Sequence, residues 1–178
     1  LGHDASKDAE DAMAETSSMT ISTRRALLIG VIPAVAALAM PRHAWATDSL
    51  PRMTVTRDPA CGCCGGWIAH VKAAGFSVDE IQSGDVAPLK TKLGVPVELS
   101  SCHTAEIGGY AIEGHVPADA IKRLLAEKPQ AKGLAVGGMP TGSPGMEVPG
   151  TPPETYDVVL FSADGQRVFA RYRGAQAI

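Results

Sequence analysis

The hydropathy period changes several times along the chain. An almost unbroken apolar run from Leu27 to Met40 follows Arg24-Arg25 and precedes Ala44-Trp45-Ala46. The run falls short of the about 20 residues a membrane span needs, and small-x-small is a cleavage pattern. Residues 1–46 therefore predict an export signal of the twin-arginine type, with Met19 as a candidate true start. Beyond it, Met53-Thr54-Val55-Thr56 favours a strand, with Pro59 close behind. Trp67, Ile68, Val71 and Ala74 recur at helical spacing up to Gly75. Phe76 to Ile81 alternates as a strand, and Asp85 to Leu93 reads as a short helix stopped by Gly94.

The next unit is more regular. His103–Ile107 and Tyr110–His115 flank Gly108-Gly109 and predict a two-residue hairpin. Pro117 opens a helix with Ile121, Leu124 and Leu125 on its apolar face, and Pro129 closes it. Gly133 to Pro153 shows neither helical nor strand period and reads as an irregular loop on the domain. Tyr156–Phe161, Ala163-Asp164-Gly165 and Arg167–Tyr172 predict a last hairpin. The pattern is α/β. A βαβ unit, a hairpin and a helix, with thiols after the first strand, make a thioredoxin-like layout over residues 47–130. Residues 131–178 form a C-terminal extension of irregular loop and β-hairpin packed on that core.

Composition narrows the function. After Ala46 the chain carries 12 Lys+Arg against 14 Asp+Glu. No basic stripe suggests nucleic acid. Nothing after Ala46 resembles a membrane helix or a lipid anchor, and about 130 residues suffice for one domain, taken as a monomer. There is no Gly-rich phosphate loop and no His-Glu-x-x-His.

All four cysteines follow the signal, and three of them crowd into Cys61-Gly62-Cys63-Cys64-Gly65-Gly66-Trp67. Thiols this close cannot all pair with one another, because a disulfide needs defined Cα separations. Soft sulfur near imidazole selects Cu(I), Zn(II) or iron–sulfur centres. A metal-thiolate centre is therefore the first expectation and a disulfide the second. Cys61 and Cys64 do have the spacing of a redox pair, with Cys63 intruding. The helix starting there offers its partial positive end to a thiolate.

Hairpin register adds candidates. With Gly108-Gly109 as the turn, Ile107 faces Tyr110 and, stepping outward, Cys102 faces His115 on one side of the sheet. His103 joins only if Cys102-His103 is still loop; as strand it points to the opposite face. His70 lies two helical turns beyond Cys63, about 10 Å along the axis, too far to share an ion. Met139 and Met146 sit in the Gly/Pro loop, where packing demand is low, and a thioether is a soft ligand.

These motifs resemble a known family. Cys61 to Trp67, Ser101-Cys102-His103-Thr104-Ala105, Glu113-Gly114-His115-Val116-Pro117 and the run Gly138 to Glu147 are similar, in this order, to the exported CopG-type copper-resistance family, long described by its CxCC signature. The resemblance implies a periplasmic protein with a thioredoxin-like domain, binding copper through cysteine sulfur in a multinuclear cluster. It also implies interconversion of Cu(I) and Cu(II) before export by an efflux system. The metal set expected is Cys61, Cys63, Cys64 and Cys102, completed by His103, His115, Met139 and Met146. Three alternatives stand beside it: a thiol–disulfide oxidoreductase using Cys61 and Cys64, a passive copper chaperone, and a structural zinc site.

Overall fold

β1 (Met53–Arg57) forms where Thr and Val favour extended backbone, and α1 (Gly62–Ala73) begins directly after it, inside the thiol motif. α1 buries Cys64, Trp67, Ile68 and Val71, one face of a 3.6-residue period. It stops at Gly75, whose φ of 96° glycine takes without strain. The structure, a computed structural model, describes residues 49–178. The export signal and the Met19 start lie outside the described residues.

β2 (Val78–Gln82), α2 (Ala87–Leu93), a 3-10 turn (Val97–Leu99), β3 (His103–Ile107), β4 (Tyr110–Glu113) and α3 (Ala118–Glu127) follow. β5 (Gly133–Ala135), β6 (Thr155–Ser162), β7 (Gly165–Arg173) and β8 (Gln176–Ala177) complete a mixed α/β architecture. One sheet runs β2-β1-β3-β4-β5-β6-β7-β8. The pairs β1–β2 and β4–β5 are parallel and the others antiparallel.

The sheet separates two cores. Met53, Val55, Ala105, Ile107 and Ile112 pack with Trp67 and Val71 of α1 and Ile121 and Leu124 of α3. The alternate positions Ala111 and Ala135 join Val95 and Phe161, with Leu93 of α2 against them. Residues one apart on a strand face opposite sides, so a single strand serves both cores. α2 contributes no buried residue of its own.

Three short elements depart from the sequence reading. Gly133–Ala135, read as loop, is β5, three residues beside β4. Three residues are too few to display a period. Gly133 is the residue that allows the pairing, because a Cβ there would collide with the Ala111 carbonyl. Residues after 130 thus enter the same sheet through β5 to β8. The two-residue β8 and the 3-10 turn also carry no readable signal.

Candidate metal centre

Cys61 is the N-cap of α1, and no side chain caps the helix. The first-turn N–H groups therefore face the thiols with their partial positive charge. Cys61 and Cys64 are joined as a disulfide, with Cα atoms 5.5 Å apart. Cys63 and Cys102 are free. The expectation of thiolates first and a bridge second is thereby revised: one pair is bridged and the other is not. The four sulfurs still lie within 4.8 Å of one another. Cys63 Sγ is 3.4 Å from Cys61 Sγ and 3.8 Å from Cys102 Sγ.

The hairpin delivers the fourth sulfur. β3 and β4 pair Ile107 with Tyr110 and Thr104 with Glu113 around Gly108-Gly109, whose φ values are 57° and 85°. Continuing that register brings Cys102 Sγ to 3.1 Å from His115 Nε2. His115 Nδ1 donates to the Pro144 carbonyl at 2.8 Å, which leaves Nε2 with its lone pair toward the sulfur.

His103 departs from the either–or set by strand alternation. It is the first residue of β3, yet its Nδ1 lies 3.3 Å from Cys102 Sγ. Cys102 itself sits in the bend before the strand, so alternation does not separate the two side chains. The His103 ring packs on Trp67 (centroids 4.4 Å apart) and edge-on to His115 (5.1 Å). Its buried Nε2 has no hydrogen-bond partner among the described residues. Cys102, His103 and His115 form a second convergent group sharing Cys102 with the sulfurs.

The electrostatics suit a metal. Burial, with His115 and Lys90 adding to it, pushes His103 down to about 3. Burial also lowers His115, against the opposing pull of its Pro144 hydrogen bond and Glu147. Both rings are neutral near pH 7 and present lone pairs. Burial, then Cys63, pushes the Cys102 thiol up to about 11. A metal arriving there must displace a proton.

Behind the site is a network with no local sequence signal. Glu113, fully buried, accepts hydrogen bonds from Ser101 N–H and Thr104 Oγ1, both at 2.6 Å, and pairs with Lys90 of α2. Lys90 also donates to Thr104 Oγ1 at 2.9 Å. This holds the residue before Cys102 in place. The Thr104–Glu113 pairing follows from the hairpin register; the arrival of Lys90 from another element does not.

The loop after β5 closes the other side. Its Gly145, at φ 85°, sits where a Cβ would come within 2.6 Å of Cys63 O. Met146 is half-buried in this loop, and Met139 is 54% exposed at its start. His70 lies outside both convergent groups: its Nε2 accepts the Ala118 N–H at 3.1 Å, at the start of α3. Trp67 is fully buried, and its Nε1 donates to Val116 O at 2.8 Å.

Among the described residues no helix is long and apolar enough to cross a membrane. Comparison with known proteins agrees with the geometry. A family described as "Protein of unknown function, DUF411" matches residues 99–146. No curated protein matches the chain. Two solved structures, both of a copper resistance protein copG (Form 1 and Form 2), are 44% identical to it with TM-scores of 0.65. The matches cover 70% of this chain and 99% of the Form 1 chain, and 69% and 98% for Form 2. At that identity and coverage, with the CxCC sulfurs, Cys102 and His115 drawn together, the chain belongs to the CopG-type copper-resistance family.

Proposed function

We propose that this protein binds copper as part of copper resistance, holding it through cysteine sulfur in a multinuclear site. The observation that carries the reading is the convergence of Cys61, Cys63, Cys64 and Cys102 within 4.8 Å, with two imidazoles on Cys102. Sulfur donors favour Cu(I), and imidazole accommodates both copper valences, so the mixed set suits a site that passes between Cu(I) and Cu(II). When Cys61 and Cys64 are reduced, all four sulfurs are available as ligands. Met139 and Met146 complete the set from the Gly/Pro loop. His115 is oriented by Pro144, and the Ser101-Cys102 bend by Glu113.

A thioredoxin-like core fits this reading. The parallel β1–β2 pair joined through α1, the β3–β4 hairpin and α3 support it, with thiols after β1. The chain is exported through the twin-arginine signal to the periplasm. There it works as a monomer and passes copper to an efflux system. Replacing Cys63 with Ser tests the site: copper per chain should fall sharply, and unchanged copper content would contradict it.

One observation favours a second reading. The Cys61–Cys64 bridge has the spacing of a thiol–disulfide oxidoreductase and sits at a helix start. Insulin reduction by metal-free protein, dependent on these two cysteines alone, would support that activity over copper binding.

A further inference from the structure

The four sulfurs are not equivalent. Cys61 and Cys64 are bridged, their Cα separation of 5.5 Å being near the middle of the disulfide range. Cys63 and Cys102 remain thiols. Cys102 alone also meets imidazole nitrogens, at 3.1 Å and 3.3 Å. One pair is thus placed to give up electrons, and the other pair is placed to keep a soft ion.

We infer that Cys61 and Cys64 act as a two-electron donor to Cu(II), and that Cys63, Cys102 and His115 retain the Cu(I) produced; this rests on the copper-binding reading above. Copper is the substrate of the step. Two Cu(II) ions each take one electron and become Cu(I). The two thiols lose two protons to solvent and form one S–S bond. No other reductant enters, and one turnover consumes the dithiol. A second turnover needs an external thiol reductant to reopen the bridge.

Both halves run the same way. Dithiols of this spacing have negative reduction potentials, and sulfur ligands stabilise Cu(I) over Cu(II). The arrangement also changes the capacity of the site. The reduced chain offers four sulfurs, and the spent chain offers two with the imidazole of His115. Copper reduction therefore lowers the sulfur count around the product to the two thiols of the retaining set. Cys63–Cys102, with sulfurs 3.8 Å apart, is the competing bridge.

The experiment is an anaerobic titration of the fully reduced protein with Cu(II) sulfate. Cu(I) is read with a chromophoric chelator, remaining thiols are counted, and the bridge is located by peptide mass mapping. The expected result is two Cu(II) reduced per chain and two thiols lost, all within Cys61–Cys64. The urea-unfolded chain should give mixed bridges instead. Cys63→Ser and Cys102→Ser should reduce the same two ions but lose at least tenfold in Cu(I) retention on a desalting column. Cys61→Ser and Cys64→Ser should lose the two-ion stoichiometry. A Cys63–Cys102 bridge, an unselective mixture in the folded chain, or reduction without thiol loss would overturn the inference. Retention is scored separately. A correct bridge with no copper retained by any variant would sink the binding reading instead, and with it the retaining role of Cys63, Cys102 and His115.

Discussion

Gly145 lies so close to Gly66 that a Cβ on Gly66 would sit 2.9 Å from the Gly145 Cα. The contact seats the Pro144 loop on the first turns of α1, and Pro144 in turn holds His115. A Cβ on Gly145 would meet Trp67 N at 2.5 Å and Cys63 O at 2.6 Å, on backbone already at positive φ. Gly145→Ala should therefore cost about 1–3 kcal/mol of stability. It should also weaken Cu(I) binding, because the loop lifts and His115 loses its anchor. Urea unfolding and chelator competition measure the two effects; wild-type values in both would show that this contact does not seat the loop.

Glu113, fully buried, and Lys90, partly buried, form an ion pair behind the site. Removing one partner of such a pair leaves a charge uncompensated, at about 3–5 kcal/mol, whereas an apolar pair of similar volume is often neutral. Glu113→Gln should thus destabilise strongly. Glu113→Leu combined with Lys90→Met should recover much of the stability but leave the Ser101 N–H unpaired. The double variant is expected to unfold near the wild-type urea midpoint while binding Cu(I) more weakly. Full recovery of both would restrict the network to a folding role.

His70 accepts the Ala118 N–H and must be neutral to do so. Burial lowers its pKa below 6.5, outweighing Glu147 and Asp119, which raise it. With the folded pKa below the unfolded one, the unfolded chain takes up the proton first as pH falls. The stabilisation is complete above about 6.5 and declines below it. His70→Gln keeps an acceptor without titrating. The stability of the metal-free protein, measured by urea denaturation between pH 7.5 and 5, should decline less steeply in that variant, with the rest of the slope left to His103 and His115. Parallel slopes would remove His70 from the linkage.

Much of this molecule is legible from local signals. The Gly108-Gly109 turn fixes a register, and that register carries Cys102 to His115 across 13 residues. Apolar spacing locates α1 through Trp67, Ile68 and Val71, and Gly75 and Gly94 mark helix ends by their positive φ. Other features need tertiary context. Three residues of β5 are shorter than any period. Lys90 reaches Glu113 from a separate helix, and Gly145 meets Gly66 from a loop nearly eighty residues away. The choice of Cys61 with Cys64 as the bridged pair is compatible with the spacing, but so is a free thiolate cluster. His103 escapes strand alternation because the preceding bend frees Cys102 to turn toward it.

X-ray absorption at the copper edge, on fully reduced protein loaded with Cu(I) without oxygen, reports valence and ligand type together. A cuprous edge with a sulfur-dominated shell, losing sulfur scattering in Cys63→Ser and Cys102→Ser, is the expected outcome. Copper bound only through nitrogen and oxygen, with all four thiols still open to alkylation, would contradict a sulfur-held centre.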